Sequence, residues 1–209
     1  MFTGIVSGVG QISRAEVLGE GAGFGKRLAV AAPPAFLDDV RVGDSIALSG
    51  ACMTVVSVEP AAARFAVEIS AESLDKTAGL DGPGDINLEK AMRADARLDG
   101  HLVSGHVDGI GHVTRFERIG ESWELRVMAP TSLARFLAVK GSIAVDGVSL
   151  TVNAVADGAG GCEFGINLIP HTVSHTSLRN LAIGRAVNLE VDLIARYVER
   201  MLGARGTVA

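Results

Sequence analysis

Short runs of Val, Ile, Leu and Ala alternate with polar residues along the whole chain, at about 10-residue spacing, and are broken by Gly, Asp and Pro. Val9–Ile12, Arg27–Ala32, Ser45–Leu48, Met53–Val58 and Arg64–Ile69 read as strands. The same texture returns at Gly109–Val113, Trp123–Met128, Ser142–Val145, Leu150–Val155 and Cys162–Leu168. Many short strands at this spacing predict a barrel or a sandwich. Helical spacing is rare. Pro34–Val40 and Ser132–Val139 are short helical candidates, and Asp192–Leu202 is the clear one. There Leu193, Ile194, Tyr197, Val198, Met201 and Leu202 form one stripe, with Asp192 as N-cap and Gly203 as the C′ residue. A short helix is not stable alone, so the stripe must be covered, either by its own barrel or by copies in other subunits.

The chain repeats itself. Met1–Ile12 laid on Leu102–Val113 gives identity at Gly4/Gly105, Val6/Val107, Gly8/Gly109 and Gly10/Gly111. Val42–Val58 laid on Val139–Val155 gives eight identities in seventeen positions. Chance would give roughly one. Phe65–Thr77 matches Phe164–Thr176 in outline, and both copies then reach Asn-Leu-Glu, at Asn87–Glu89 and Asn188–Glu190. The expectation is an all-β fold of two tandem, similar six-stranded Greek-key β-barrels plus a C-terminal α-helix, since closure removes exposed strand edges. The domains expected are 1–97, 98–191 and a helical tail, 192–209.

Composition narrows the class. The 209 residues are 48% hydrophobic and 21% charged, an ordinary globular balance. Lys and Arg total 19 against 24 Asp and Glu, a formal charge of −5, which argues against nucleic acid or an anionic membrane as the main partner. No apolar run approaches transmembrane length. Met1–Val6 has no basic n-region and does not read as a signal peptide. Two cysteines, Cys52 and Cys162, are too few for a disulfide scaffold, and a cytoplasmic protein with reduced thiols is expected.

The duplicated Val42–Val58 segment differs between copies at one chemical position. Cys52-Met53-Thr54 becomes Ser149-Leu150-Thr151. Residues i and i+2 of a strand share a face, so a thiol and a hydroxyl, or two hydroxyls, project together. The alternative is small residues filling a barrel core. Gly50 and Gly147 before each pair allow close backbone approach. His106 replaces Ile5 of the first copy, an asymmetric addition. His101, His106 and His112 are spaced poorly for a metal. His171 and His175 would suit a helix, but Pro170 and the surrounding β texture argue against one, and no metal site is expected. Gly19, Gly21, Gly23 and Gly25 lack the Lys-Ser/Thr of a phosphate loop and read as a hairpin turn. These residues support a duplicated barrel with one polar cluster per barrel, without naming a reaction.

Five motifs stand in order: Met1–Val6 (MFTGIV), Gly50–Val55 (GACMTV), Gly100–Gly109 (GHLVSGHVDG), Val145–Val152 (VDGVSLTV) and Asn167–Thr172 (NLIPHT). Together they resemble the riboflavin synthases of the alpha-chain type, in the lumazine-binding barrel family, over nearly the whole chain. That resemblance implies a dismutation of two molecules of 6,7-dimethyl-8-ribityllumazine to riboflavin and 5-amino-6-(ribitylamino)uracil, with no metal or redox cofactor. It implies a homotrimer joined by C-terminal helices, with the site between barrels of different subunits, and names lumazine synthase as a partner to test for. By the same resemblance, Gly4, Ile5, Val6, Cys52, Met53, Thr54, Glu68, Ile69, Ser70, Ala71, Glu72 and Ser73 hold one ring in the first barrel. Gly105, His106, Val107, Lys140, Ser149, Leu150, Thr151, Leu168, Ile169, Pro170, His171, Thr172 and Val173 hold the other in the second. The reaction removes a proton from a C7 methyl and needs a nucleophile at the partner's C7. Cys52, His106 and Ser149 are the implied catalytic groups, with Asp146 orienting a hydroxyl. Two motifs depart from the family's usual pattern: Ala51-Cys52-Met53, where Cys-Cys is common before Leu-Thr, and Asn167 and His171 in a segment often His-Leu-Ile-Pro-Glu. A non-catalytic lumazine- or flavin-binding protein of the same fold is the competing reading.

Overall fold

A computed structural model describes residues 1–21, 23–158 and 160–205. The first half forms β1 (Gly8–Val17), β2 (Lys26–Ala31), β3 (Ser45–Leu48), β4 (Ala51–Glu59), β5 (Arg64–Ile69) and β6 (Gly84–Lys90). They pair antiparallel in the order β1-β2-β5-β4-β3-β6, and β6 returns to β1, so this barrel is closed. The second half forms β7 (Gly109–Ile119), β8 (Ser122–Ala129), β9 (Ser142–Val145), β10 (Val148–Thr151), β11 (Ala154–Gly158), β12 (Gly161–Leu168) and β13 (Ala186–Val191). Their order, β10-β9-β13-β7-β8-β12-β11, is that of the first barrel with the fourth strand divided into β10 and β11.

The division falls at Val152–Asn153, the equivalent of the register shift between Val55 and Ser57 in β4. Both copies tie the spot alike. Val55 accepts from Gly43 N at 2.9 Å, and Val152 accepts from Lys140 N at 2.7 Å. A bulge bends the fourth strand in one barrel. In the other the ladder lapses there, so the second sheet is a half-barrel whose seven strands are the expected six with the fourth in two pieces.

Both interiors are filled by side chains. Ile12, Leu28, Ile46 and Leu88 in the first barrel have counterparts Val113, Leu125, Ile143 and Leu189 in the second, all essentially inaccessible. Strand alternation then decides which way the polar pairs face. Ala51, Met53 and Val55 point into the core of the first barrel, leaving Cys52 half-buried and Thr54 exposed. Val148 and Val152 are buried in the second, leaving Ser149 half-buried and Thr151 exposed. The pairs therefore stand on the outer faces, which overturns the barrel-core alternative.

Local twofold pseudosymmetry joins the barrels. Asn87 Nδ2 donates to Asp146 O at 2.8 Å while its Oδ1 accepts from Ser177 N at 2.7 Å. Asn188 Nδ2 donates to Ser49 O at 3.0 Å while its Oδ1 accepts from Ala78 N at 2.7 Å. Phe2 and Val103 exchange backbone hydrogen bonds of 2.7 and 3.1 Å.

Among the described residues the α-helices are α1 (Ala71–Lys76), α2 (Pro170–His175) and α3 (Leu193–Arg205). α2 contradicts the non-helical reading of His171 and His175. Pro170 occupies the first helical turn, where its missing N–H has no intrahelical acceptor to satisfy, and the two imidazoles stack with centroids 4.1 Å apart. Asp192 caps α3 through Oδ1 to Ile194 N at 2.8 Å. The helix continues through Gly203 instead of stopping there. Residues 206–209 of the expected helical tail lie outside the described residues. Pro34–Val40 is a series of turns, and the Ser132–Val139 candidate is a 3₁₀ helix at Thr131–Phe136.

Candidate active site

Each outward-facing pair is covered by backbone from the other repeat. Cys52 N donates to Gly105 O at 2.8 Å, and Ser149 N donates to Gly4 O at 2.8 Å. The two glycines are required. Gly105 has φ +83°, and a Cβ there would lie 2.6 Å from Cys52 Cβ and 2.7 Å from the Phe2 ring. Gly4 has φ +74°, and a Cβ would lie 2.6 Å from Ser149 Cβ. The resemblance groups Gly4–Val6 with the first barrel and Gly105–Val107 with the second; in the structure Gly105, His106 and Val107 lie beside Cys52, and Gly4 lies against Ser149.

A buried carboxylate holds each crossing segment. Glu190 on β13 accepts from Ser104 N, Ser104 Oγ, Gly105 N and His106 N at 2.6, 2.7, 3.0 and 3.1 Å. Glu89 on β6 accepts from Thr3 N, Thr3 Oγ1 and Gly4 N at 2.7, 2.7 and 3.0 Å. Burial raises the pKa of both carboxyls above the ordinary value, against the pull of these hydrogen bonds. The two Asn-Leu-Glu triplets were the sequence signal for this pair. The repeat showed that they matched but not what they held.

Around Cys52 the result is a cavity of about 350 Å³, lined by Ala51, Cys52, Met53, Glu72, Ser73, Lys76, Thr77, Gly105, His106 and Val107. Ser73 and Glu72 come from the first turn of α1, where Ser70 Oγ caps Ser73 N at 3.0 Å. Glu68 and Ile69 end β5, and Ala71 opens α1. His106 is exposed, its backbone is fixed by Glu190, and it shares this cavity with Cys52. The second barrel repeats the plan. Leu168 ends β12, Ile169 precedes α2, Pro170, His171 and Thr172 form its first turn, and Val173 is buried. Lys140 is exposed in the turn before β9, with Nζ 3.3 Å from Asn153 Oδ1.

Asp146 stands elsewhere than expected. Its Oδ1 accepts from Asn188 N at 2.8 Å, while the Ser149 hydroxyl is 2.7 Å from His101 Nδ1. Burial pushes the Asp146 carboxyl up to about 6. It lines a larger cleft, about 490 Å³, with Ser49, Asp85, Asn180 and Arg185, at the seam of the barrels. That cleft contains neither polar pair, so its size does not make it the reactive site. Sequence reasoning weighed His101 only as a metal ligand, because Ser149 lies 48 residues away.

α3 is anchored to the second barrel by ion pairs. Arg196 meets both oxygens of Asp108 at 2.7 and 2.8 Å, and Arg135 meets Glu199 at 2.9 Å. Its stripe remains uncovered: Ile194, Tyr197, Val198, Met201 and Leu202 are all exposed, Tyr197 at 64%. Among the described residues no helix is long and apolar enough to cross a membrane.

The lumazine binding domain family matches twice, at residues 3–91 and 104–192. A riboflavin synthase of Photobacterium phosphoreum is 42% identical over 204 residues, covering 97% of this chain and 89% of the relative. One from Mycobacterium tuberculosis is 42% identical over 213 residues, covering 99% and 100%. One from Bacillus subtilis is 38% identical, covering 97% and 90%. The crystal structure of LumP complexed with riboflavin matches with TM-score 0.80 at 22% identity, over 91% of this chain and 99% of that one. The complex of LumP with 6,7-dimethyl-8-(1′-D-ribityl) lumazine matches with TM-score 0.77, at the same identity and coverage, and so shares the fold. With two family domains tiling the barrels and near-full-length identity of about 40%, the chain belongs to the riboflavin synthase family of tandem lumazine-binding-domain proteins.

Proposed function

We propose that the protein is a riboflavin synthase, a transferase that moves a four-carbon unit between two molecules of 6,7-dimethyl-8-ribityllumazine. The observation that carries this reading is the matched pair of polar sites, Cys52/Thr54 and Ser149/Thr151, on the outer faces of two similar barrels. Two copies of one substrate call for two such sites. Cys52, Thr54, Glu68–Ser73 and Gly105–Val107 bind one ring. Gly4–Val6, Ser149–Thr151 and Leu168–Val173 bind the other.

Thr54 and Thr151 are open to solvent, so each ring has an uncovered side. In this reading the uncovered sides face one another across a subunit boundary, and exposed Lys140 reaches a ring from there. The α3 stripe supports a homotrimer, since five exposed apolar side chains on one helix need a cover. Alignment of two flat rings supplies most of the acceleration, as for other reactions that become effectively unimolecular when bound. Cys52, His106 and Ser149 offer polar atoms for the proton transfer at the C7 methyl and for attack at C7 of the partner. The reaction as proposed uses no cofactor and takes place in the cytoplasm, and association with lumazine synthase belongs to the same reading.

The test is to incubate the pure protein with the lumazine alone. Riboflavin should form, with one pyrimidine product per riboflavin and two lumazines consumed. Tight binding without turnover would establish a ligand-binding protein instead.

A further inference from the structure

α2 places His171 and His175 four positions apart, on one helical face. Two histidines at this spacing on a helix can hold one metal ion between them. Both side chains are exposed, and their rings stack with centroids 4.1 Å apart and planes 12° apart. The helix beneath them is pinned. Val173 is buried in the second barrel, and Thr176 Oγ1 donates to Thr172 O at 2.7 Å.

The hydrogen bonds of the pair fix a tautomer. His175 Nδ1 lies 2.9 Å from His171 O. A carbonyl oxygen only accepts, so Nδ1 carries the ring proton and Nε2 is the bare nitrogen. Ser174 Oγ donates to the same carbonyl at 3.1 Å and lies 2.9 Å from His175 Nδ1. Metal-bound histidines are held in this way, with one ring N–H on a carbonyl and the other nitrogen turned to the ion. Two imidazole nitrogens on one ion, with bonds of about 2.0–2.1 Å, lie no more than about 4 Å apart. Rings already stacked at 4.1 Å reach that span by small side-chain rotations.

The repeat places the pair. α2 is the counterpart of α1, so His171, Thr172, His175 and Thr176 stand where the first barrel has Glu72, Ser73, Lys76 and Thr77. Those four residues line the cavity beside Cys52. There Glu72 is committed to an ion pair with Lys76. The second barrel has two neutral ligands at the same mouth instead.

We propose that His171 and His175 form a bidentate site for a divalent transition-metal ion that prefers imidazole, such as Cu²⁺, Ni²⁺ or Zn²⁺, at the mouth of the second ring site, where the bound ion hinders entry of the lumazine. The inhibition rests on the riboflavin synthase reading, and the metal site rests on α2 alone. Among the described residues no third His, Cys, Asp or Glu joins the pair, so water fills the remaining positions and the ion exchanges. The ion is an inhibitor here and takes no part in the reaction.

Ni²⁺, which is paramagnetic, is the probe, added to full-length, tag-free, ¹⁵N-labelled protein. Long-range ¹H–¹⁵N spectra report all five histidine rings. Substoichiometric Ni²⁺ should broaden the His171 and His175 signals first. Broadening led by His106 or His112, or spread evenly over the rings, overturns the site. By calorimetry, His175→Ala should bind Ni²⁺ at least about tenfold more weakly than wild type, and equal affinity overturns the site. In turnover assays Ni²⁺ should raise the KM for the lumazine and leave kcat unchanged. His175→Ala, compared with its own metal-free rate, should need at least about tenfold more Ni²⁺ for the same rise. An unaltered wild-type KM with Ni²⁺ on the pair overturns the placement at the mouth. If the metal-free protein makes no riboflavin, the functional reading fails, and the spectra still decide whether the pair binds the ion.

Discussion

Replacing Glu190 by Gln should damage the Cys52 site, and replacing Glu89 by Gln should damage the Ser149 site. Each carboxylate is on one barrel, and the segment it holds covers the pair on the other. In Glu190 one oxygen accepts from Ser104 N and Oγ, and the other from Gly105 N and His106 N. A glutamine keeps one accepting oxygen and turns an NH₂ group toward two N–H donors. Two charge-assisted hydrogen bonds, worth about 1.5–3 kcal/mol each, are lost. The amide recovers part of this, because burial already opposes the charge of Glu190. The net expectation is a loss of about 2–4 kcal/mol, within the range a folded domain tolerates. Urea unfolding measures it. The site effect is read by alkylation, because Cys52 is half-buried and Cys162 is fully buried. In wild type and in Glu89→Gln, a non-reactive lumazine analogue should protect Cys52. In Glu190→Gln, protection should require at least tenfold more analogue, since about 1.4 kcal/mol of lost positioning is a factor of ten. Loss of Cys52 protection in Glu89→Gln, or its retention in Glu190→Gln, would refute the crossed arrangement.

Three further outcomes follow from the same geometry. The Asp146 carboxyl titrates at about 6 in the fold against an ordinary 3.8, so folding takes up a proton, and the resulting stabilisation is complete below pH 4 and lost as pH rises through 6. Asp146→Asn keeps an acceptor for Asn188 N and should be up to about 3 kcal/mol more stable than wild type at pH 8, with the advantage gone by pH 4, as urea midpoints at the two pH values will show. Gly105→Ala forces a side chain into left-handed backbone against Cys52 and Phe2 and should cost about 2–4 kcal/mol together with Cys52 protection, while an unchanged melting temperature would contradict the close approach. Tyr197→Lys with Met201→Lys should give folded monomers by sedimentation, because both side chains are exposed on α3, and a persistent trimer would remove that helix from the interface.

The duplication and strand texture were legible because both rest on local pattern. Alternation around Cys52 and Ser149 was visible, yet whether the polar face pointed inward depended on which neighbours filled the barrel. β6 and β13 carry Asn-Leu-Glu near their ends, and their burial of Asn87, Glu89, Asn188 and Glu190 runs against the usual exposure of such residues. Only the hydrogen-bonded seam makes that burial tolerable, and the seam joins residues as far as 139 positions apart. The exchange of Gly4 and Gly105 between sites was hidden for the same reason. A repeat shows which residues are equivalent, not which copy's segment docks on which barrel. α2 was misread because Pro170 breaks a helix interior but suits a first turn. Gly203 could end a helix or lie within one, and α3 continues past it.

In the proposed reaction a ring on the first barrel of one subunit reacts with a ring on the second barrel of another. Cys52→Ala and Ser149→Ala, each expected to be about 10²-fold slower alone, should be unfolded together at equal concentration and refolded. In a cyclic trimer with random mixing, about one quarter of the interfaces pair an intact first barrel with an intact second barrel. Riboflavin formation should return to about a quarter of the wild-type rate per subunit. No recovery above the separately refolded variants would place both rings within one chain and contradict the account.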